Sequence, residues 1–218
     1  RPGGGAGVTR EAYVRQRKEQ PPAVPDANVG AEPISRNTAP CIACAATTLA
    51  QRDPDATMAV LPADHVIGNV EQFHKTLDVA FETARTREAL VTIGIEPTYP
   101  ATGYGYIQYD GAADDTALQA YPVRTFAEKP DPSTAERFID AGDFLWNSGM
   151  FIWRADTILD QIETHLPEAH AAFAPVRAAD GDVAPETLTD AFRDSPHISI
   201  DYGVMEQADT VYVVPGTF

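Results

Sequence analysis

Four polar clusters in this sequence follow short apolar runs: Glu32 to Thr38, Asp64-His65, Glu128-Lys129 and Asn147-Ser148-Gly149. A fifth, Gly103 to Tyr106, is built on glycines, which let backbone approach a ligand closely. Asp64 follows the run Met58-Ala59-Val60-Leu61 and then Pro62, which cannot donate to a sheet ladder and so stops the strand. A carboxylate just past a strand's carboxyl end stands where open α/β sheets bind ligands. It suits a hard cation, above all Mg²⁺ shared with a phosphate. It would serve equally as the cap of the next turn. Taken singly each cluster is ordinary, and Glu128-Lys129-Pro130 has the look of a solvated strand end. None of them pairs a nucleophile with a base. They are suited to placing charge and positioning a ligand.

The elements that must position these clusters follow from periodicity. Met58 to Leu61 reads as a buried strand of a parallel sheet, after the turn signal Asp53-Pro54-Asp55. Val29 to Glu32 reads as a short strand, and Asn37 or Thr38 caps a helix from about Pro40 to Gln51. Asn69 caps a second helix, Val70 to about Arg85, whose Val70, Phe73, Leu77, Ala80, Phe81 and Ala84 make one apolar stripe. Ala89 to Ile95 is then a buried strand. The order strand, helix, strand, helix, strand predicts a parallel sheet with right-handed crossovers. Further strands are expected at 102–109, 121–128, 144–153 and 210–214. Helices are expected at 132–141, 155–164, 167–178 and 185–193, with a short one near 200–207. The last of these, Asp201 to Glu206, reads as an amphipathic turn with Tyr202 and Met205 inward. Gly4 to Arg10 resembles a phosphate loop, but no apolar strand precedes it, so it reads as a frayed end or linker. A polar helix-prone stretch, Glu11 to Gln20, is broken by Pro21, Pro22 and Pro25.

Composition sets bounds. The chain has 218 residues, of which 44% are hydrophobic, enough for the core of one α/β domain. A net charge of -16 disfavours nucleic acid as a partner and requires any phosphate ligand to be met by a cation or placed Lys/Arg. No apolar run reaches the roughly 18 residues of a membrane span, and no signal-peptide pattern opens the chain, which points to the cytoplasm. Cys41 and Cys44 form a C-x-x-C with no second pair for zinc, within an Ala-rich helix where Cys packs as a small hydrophobe.

Taken in order, six motifs carry a resemblance. They are Glu32-Pro33-x-x-Arg36-Asn37-Thr38-Ala39-Pro40, Leu61 to His65, Gly103 to Ile107, Phe126 to Pro130, Trp146 to Phe151 and Ser199 to Glu206. The sequence resembles the bacterial mannose-1-phosphate guanylyltransferases over about Ala12 to Phe218. The resemblance implies an α/β, Rossmann-like nucleotidyltransferase fold, with a mostly parallel mixed sheet and flanking helices. It implies GTP and mannose 1-phosphate as substrates, GDP-mannose and pyrophosphate as products, and Mg²⁺ as cofactor. By the same carry-over, Asp64 would hold the Mg²⁺ and Glu32, Arg36, Asn37 and Thr38 would line the guanosine side. Gly105 would give a backbone contact to mannose, Glu128 and Asn147 would bind sugar hydroxyls, and Lys129 would meet the sugar phosphate. A homo-oligomer is left open.

The departures from that family are equally specific. It begins with a strand, a Gly-Gly-x-Gly-Thr-Arg loop and a Lys-Pro-Lys-Gln segment, and it continues with a Gly-Trp-Ser-Asp stretch carrying a second metal ligand. Neither stands in context here. Residues 1–28 are therefore expected to be a remnant helix or linker and residues 29–218 an incomplete nucleotidyltransferase domain, with little turnover alone and exposed sheet edges prone to aggregation. Two other readings stay open. One is a non-catalytic sugar-nucleotide-binding regulatory homologue, and the other a sibling nucleotidyltransferase using another base.

Overall fold

The strand Leu90–Ile95 is buried on both faces, and the rest of the fold is arranged around it. The computed structural model describes residues 4–10, 29–111, 119–179, 181 and 183–218. Its strands are β1 (Gly7–Arg10), β2 (Val29–Glu32), β3 (Thr57–Val60), β4 (Leu90–Ile95), β5 (Tyr106–Tyr109), β6 (Tyr121–Ala127), β7 (Phe144–Arg154) and β8 (Val211–Gly216). Its helices are α1 (Thr38–Arg52), α2 (Val70–Arg87), α3 (Pro132–Ala141), α4 (Ala155–His165), α5 (Pro167–Ala172), α6 (Ala174–Arg177) and α7 (Pro185–Asp194), followed by a π turn at Asp201–Met205. Among the described residues no helix is long and apolar enough to cross a membrane.

Six strands form one sheet in the order β3-β7-β4-β8-β6-β5, and the first residues of β7 also pair with β5. Side chains alternate across it, as the two-residue strand period requires. Val91, Ile93, Met150, Ile152 and Val214 face α2, where Ala80 and Ala84 let the helix sit close. Leu90, Phe151, Trp153, Val211 and Val213 face the opposite way, onto α1 and α4–α7 through Ile42, Ile158, Phe173 and Phe192. A smaller cluster of Tyr106, Ala135 and Phe144 lies under α3. This is an α/β fold with helices on both faces of a mixed sheet, as read from the sequence.

Strand direction needs correction. β3 and β4 are both antiparallel to β7, β8 is parallel to β4, and β6 is antiparallel to both β8 and β5. So β3, β4, β8 and β5 share a direction, while β7 and β6 oppose it. Four of six strands are co-directional, yet in this sheet only β4 and β8 are parallel neighbours. The helical crossover through α2 does return the chain in the same direction. However, β7 inserts between the two strands it joins, and β3 becomes an antiparallel edge strand instead of a buried parallel one. Four residues are too few for alternation to distinguish these cases.

Local chemistry sets the helix ends as expected. The Asn69 side chain accepts from Gln72 N at 3.1 Å to start α2, and Glu88 ends it in the left-handed region. Val70 is exposed and drops out of the predicted stripe. Gly7–Arg10 forms a parallel pair with Val29–Glu32, so this segment is strand and not linker. The expected helix at Glu11 to Gln20 lies outside the described residues. Strand β5 begins only at Tyr106, and the expected helix at 167–178 divides at Phe173, whose ring is buried against Phe192.

Gly94 lies where β4, β7 and β8 meet. A Cβ there would stand 2.6 Å from Leu145 Cδ1 and 2.8 Å from Val213 Cγ2. Gly94→Ala is expected to cost about 1–3 kcal/mol through overpacking, read as a lower urea midpoint at unchanged m-value.

Candidate functional site

The site is built on an irregularity in β7. Thr92 pairs with Phe151 and Gly94 with Asn147, so one residue of β4 faces three of β7. Ser148 and Gly149 are thus pushed out of the ladder as a bulge, a device that re-aims side chains at functional sites. Ser148 Oγ donates to Ile93 O at 2.7 Å and accepts from Met150 N at 3.2 Å, which closes the distortion. Gly149 has φ +70°, where a side chain is strained, and Pro62 packs against it, 3.5 Å from where a Cβ would be. The loop that carries Asp64 is therefore seated on the bulge through Pro62. Asp64 and His65 are themselves exposed, two and three residues further on.

Asn147 stands level with Gly94, near the carboxyl ends of β3 and β4, the edge where the sequence placed the candidate residues. Its N–H donates to Gly105 O at 2.8 Å. Gly105 in turn lies against Glu128: a Cβ at this glycine would stand 2.3 Å from Glu128 Oε2 and 3.3 Å from Asn147 Cβ. No other residue fits there without moving the carboxylate. Lys129 N donates to Tyr104 O at 3.2 Å, and its Nζ lies 3.6 Å from Glu128 Oε1. The structure thus brings Gly105, Glu128, Lys129 and Asn147 into one group. Tyr99 and Tyr104 stand edge-on to Trp146, with centroids 5.0 and 5.2 Å away, and buttress the glycine loop from outside.

Three features of the group are costly for stability. Glu128 Oε2 is buried with no hydrogen-bond partner among the described residues. Such an atom in a native fold calls for a donor, from an ordered water or a ligand. Burial, reinforced by the Asp201 charge, pushes the Glu128 carboxyl up from its usual range, and Lys129 offsets this only in part. Lys129 itself has φ +47°, directly before Pro130, a conformation held only when the surroundings impose it. Strain and unpaired polarity of this kind concentrate at binding sites.

The second set of candidates forms a separate group. Glu32 ends β2 and lies against the Cys41 thiol. Burial and then Glu32 raise the Cys41 thiol well above its usual range, and burial pushes Cys44 up to about 11, so both cysteines stay protonated and behave as packing residues. Arg36 donates to Phe192 O at 3.0 Å and Arg193 O at 2.7 Å, at the C-terminal end of α7. Thr38 Oγ1 accepts from Ile200 N at 2.8 Å, and Ala39 N donates to Ile198 O. Arg36 and Thr38 hold the loop in place. Asn37, at φ +70°, turns it and accepts from Thr38 N. Asn37 and Lys129 are two of the four described non-glycine residues with positive φ, and each falls on a candidate motif.

Sequence reasoning missed the residues that hold the first group in place. Asp201 Oδ1 accepts from Asn147 Nδ2 at 2.8 Å, and Glu206 Oε1 accepts from Glu128 N at 3.0 Å. Thr92, fully buried on β4, donates to Asn147 Oδ1 at 3.1 Å. The expected amphipathic turn is correct for Met205, which is buried, and wrong for Tyr202, which is 44% exposed. A turn closed by Glu206 N to Asp201 O, five residues apart, has a wider period than the helical one used for the reading.

Raising the Glu128 carboxyl has a definite consequence for stability. The folded chain holds its proton more tightly than the unfolded one, so this residue erodes stability as pH rises from the ordinary carboxylate range, about pH 4, through the raised value. Glu128→Gln should raise the melting temperature at pH 7.5 by about 2–4 °C, and the gain should fade on titration to about pH 4.

A model of the nucleotidyl transferase family matches residues 9–191. The chain is 44% identical over 189 residues to a mannose-1-phosphate guanylyltransferase of Klebsiella pneumoniae, covering 85% of this chain and 40% of that protein. It is 42% identical over 188 residues to the xanthan biosynthesis protein XanB of Xanthomonas campestris, covering 84% and 38%. It thus spans about 40% of the length of these relatives. Among solved structures, one described as a mannose-1-phosphate geranyltransferase of Thermus thermophilus superposes with a TM-score of 0.83 at 31% identity, over 97% of this chain and 58% of that one. A Helicobacter pylori structure described as a mannose-6-phosphate isomerase superposes with a TM-score of 0.77 at 25% identity, over 96% and 81%. With most of its length covered by the family model, and a sheet and helices arranged like those neighbours, this chain belongs to the nucleotidyl transferase family.

Proposed function

We propose that the chain binds a sugar 1-phosphate and a guanosine nucleotide as part of a mannose-1-phosphate guanylyltransferase acting in the cytoplasm. The observation that carries this is the unpaired, buried Glu128 Oε2 over Gly105, beside Asn147 and Lys129. A carboxylate acceptor, an amide donor and an exposed ammonium match a sugar with adjacent hydroxyls and a phosphate. The chain's likeness to mannose-1-phosphate guanylyltransferases supports mannose 1-phosphate and guanylyl transfer as the specific case.

In the reaction, the sugar phosphate oxygen attacks the α-phosphorus of GTP in line, forming GDP-mannose and releasing pyrophosphate. Glu128 accepts from a sugar hydroxyl, which removes the penalty of its orphan oxygen and makes binding sugar-dependent. Asn147 donates its remaining amide hydrogen to a neighbouring hydroxyl. Gly105 leaves space for the ring. Lys129 meets the phosphate as a mobile point charge and keeps it oriented for attack. The loop from Glu32 to Thr38 receives the guanosine side. In that role Arg36 and Thr38 act through the backbone they hold, since their side chains are engaged with α7 and Ile200.

Among the described residues, no three His, Cys, Asp or Glu side chains stand together as a protein-only metal cage. The exposed Asp64 fits a different mode, in which one carboxylate and substrate phosphates share a hydrated Mg²⁺. When bound there, the ion would neutralise phosphate charge.

Calorimetric titration with GDP-mannose and Mg²⁺ tests the reading. GDP-mannose should bind at least tenfold more tightly than UDP-glucose or ADP-glucose, and Asp64→Asn should abolish the Mg²⁺-dependent part. Equal binding of all three, or none, would overturn it. Gly105→Ala should lose mannose 1-phosphate binding by about tenfold or more, with the melting temperature lowered by only a few degrees, because the carboxylate end of Glu128 must move and Asn147 Cβ, at 3.3 Å, need give only by a few tenths of an ångström.

A further inference from the structure

The turn from Asp201 to Glu206 touches both halves of the site. Residue Ile200, just before it, donates from its N–H to Thr38 Oγ1 on the Glu32–Thr38 loop. Asp201 then accepts from the Asn147 amide, and Glu206 accepts from the Glu128 backbone. In an α-helix, residues five apart point roughly 140° away from each other. Here the turn is closed by an i→i+5 bond, from Glu206 N to Asp201 O at 3.0 Å. That wider ring brings positions five apart back towards one side. The π geometry is therefore what lets two carboxylates of one short segment reach two neighbouring residues of the sugar group.

The contacts also fix which way the Asn147 amide faces. Its Oδ1 receives Gly149 N–H at 3.1 Å and the Thr92 hydroxyl at 3.1 Å. A backbone N–H can only donate, so oxygen must face the bulge and nitrogen must face Asp201. The oxygen faces these two donors, the Thr92 hydroxyl also reaching Met150 O at 3.2 Å, and one amide hydrogen remains for a ligand. Flipping the amide would set its N–H₂ against the Gly149 N–H and its oxygen against the Asp201 carboxylate.

We propose that Asp201 and Glu206 are positioning residues of the sugar site: Asp201 locks Asn147 as a hydrogen-bond donor, and Glu206 fixes the backbone that presents Glu128. The inference rests on the sugar-phosphate reading given above. It assigns the site a polarity, in which a ligand hydroxyl accepts at Asn147 while its neighbour donates to Glu128. The shared turn, anchored on Thr38, couples the order of this site to the loop on the nucleotide side.

The test compares Asp201→Ala with Asp201→Asn, which keeps an acceptor for the Asn147 amide, and Glu206→Ala with Glu206→Gln. The readouts are the Asn147 side-chain NH₂ pair in ¹⁵N–¹H correlation spectra and calorimetric titration with mannose 1-phosphate and, separately, GTP with Mg²⁺. In Asp201→Ala the NH₂ pair should move towards the signature of a free amide. Mannose 1-phosphate binding should weaken about tenfold, the worth of one well-placed hydrogen bond, with GTP changed less than about threefold. Asp201→Asn should restore both readouts to within about threefold of wild type. Glu206→Ala and Glu206→Gln should repeat the titration pattern, and they decide the matter if Asp201→Ala does not fold. Equal losses in the Ala and conservative variants, or unchanged sugar binding in both Ala variants, would overturn the proposal. If the wild type binds no mannose 1-phosphate while Asp201→Ala still frees the Asn147 amide, the substrate reading falls and the positioning role stands.

Discussion

The carboxamide of Asn147 is the joint on which the site depends. Its oxygen ties the β7 bulge to Thr92 in the centre of the sheet, and its nitrogen ties the bulge to Asp201 beyond α7. Its backbone N–H holds Gly105. Four stretches far apart in sequence thus meet at one residue, each with a hydrogen bond of defined direction. The Thr92 hydroxyl is fully buried and has two acceptors within reach, Asn147 Oδ1 at 3.1 Å and Met150 O at 3.2 Å, as a buried polar group without a partner would cost more than a bond gains. The network ties the bulge on both sides, and losing the Asn147 carboxamide would remove the acceptor of the Gly149 N–H.

Around this joint the fold tolerates features that a purely structural segment would avoid. A carboxylate is buried with one oxygen unpaired, a lysine before proline holds a left-handed backbone, and three carboxylates, Glu128, Asp201 and Glu206, stand near one another beside the Lys129 ammonium. These costs fall on neighbouring residues and are offset by the apolar packing on both sheet faces. On the proposed function, the same residues would be relieved when a polyhydroxylated, phosphorylated ligand brings donors to Glu128 and an anion to Lys129. The price in stability and the affinity for such a ligand have one origin.

The loop from Glu32 to Thr38 follows a different logic. Its polar side chains point largely at the protein. Arg36 caps the end of α7, Thr38 accepts from Ile200, and Glu32 lies against a protonated thiol. A loop fixed this firmly offers a ligand its backbone and its shape. On the proposed function, discrimination among bases would then fall to main-chain groups, while the Arg36, Thr38 and Glu32 side chains carry structural duties.

Residue types and order alone determined a good deal. Caps such as Asn69, breakers such as Pro62, and apolar periodicity located the helices and most strands, because these signals act within a few residues. The motif order pointed to the family, since Asp64, Gly105, Glu128 and Asn147 keep their spacing whatever the sheet does. Tertiary structure decided how they meet. It made β7 an antiparallel insertion between β3 and β4, turned β3 into an edge, and drew Gly7–Arg10 into a strand pair. It also recruited Thr92, which no local pattern marks, and gave Asp201 and Glu206, read from the sequence only as a motif and a turn, their partners in the site, because a hydrogen bond between residues 54 or 78 positions apart leaves no periodicity to read. Local preferences are written along the chain, whereas strand pairing and buried polar partners are settled only when distant segments compete for the same donors and acceptors.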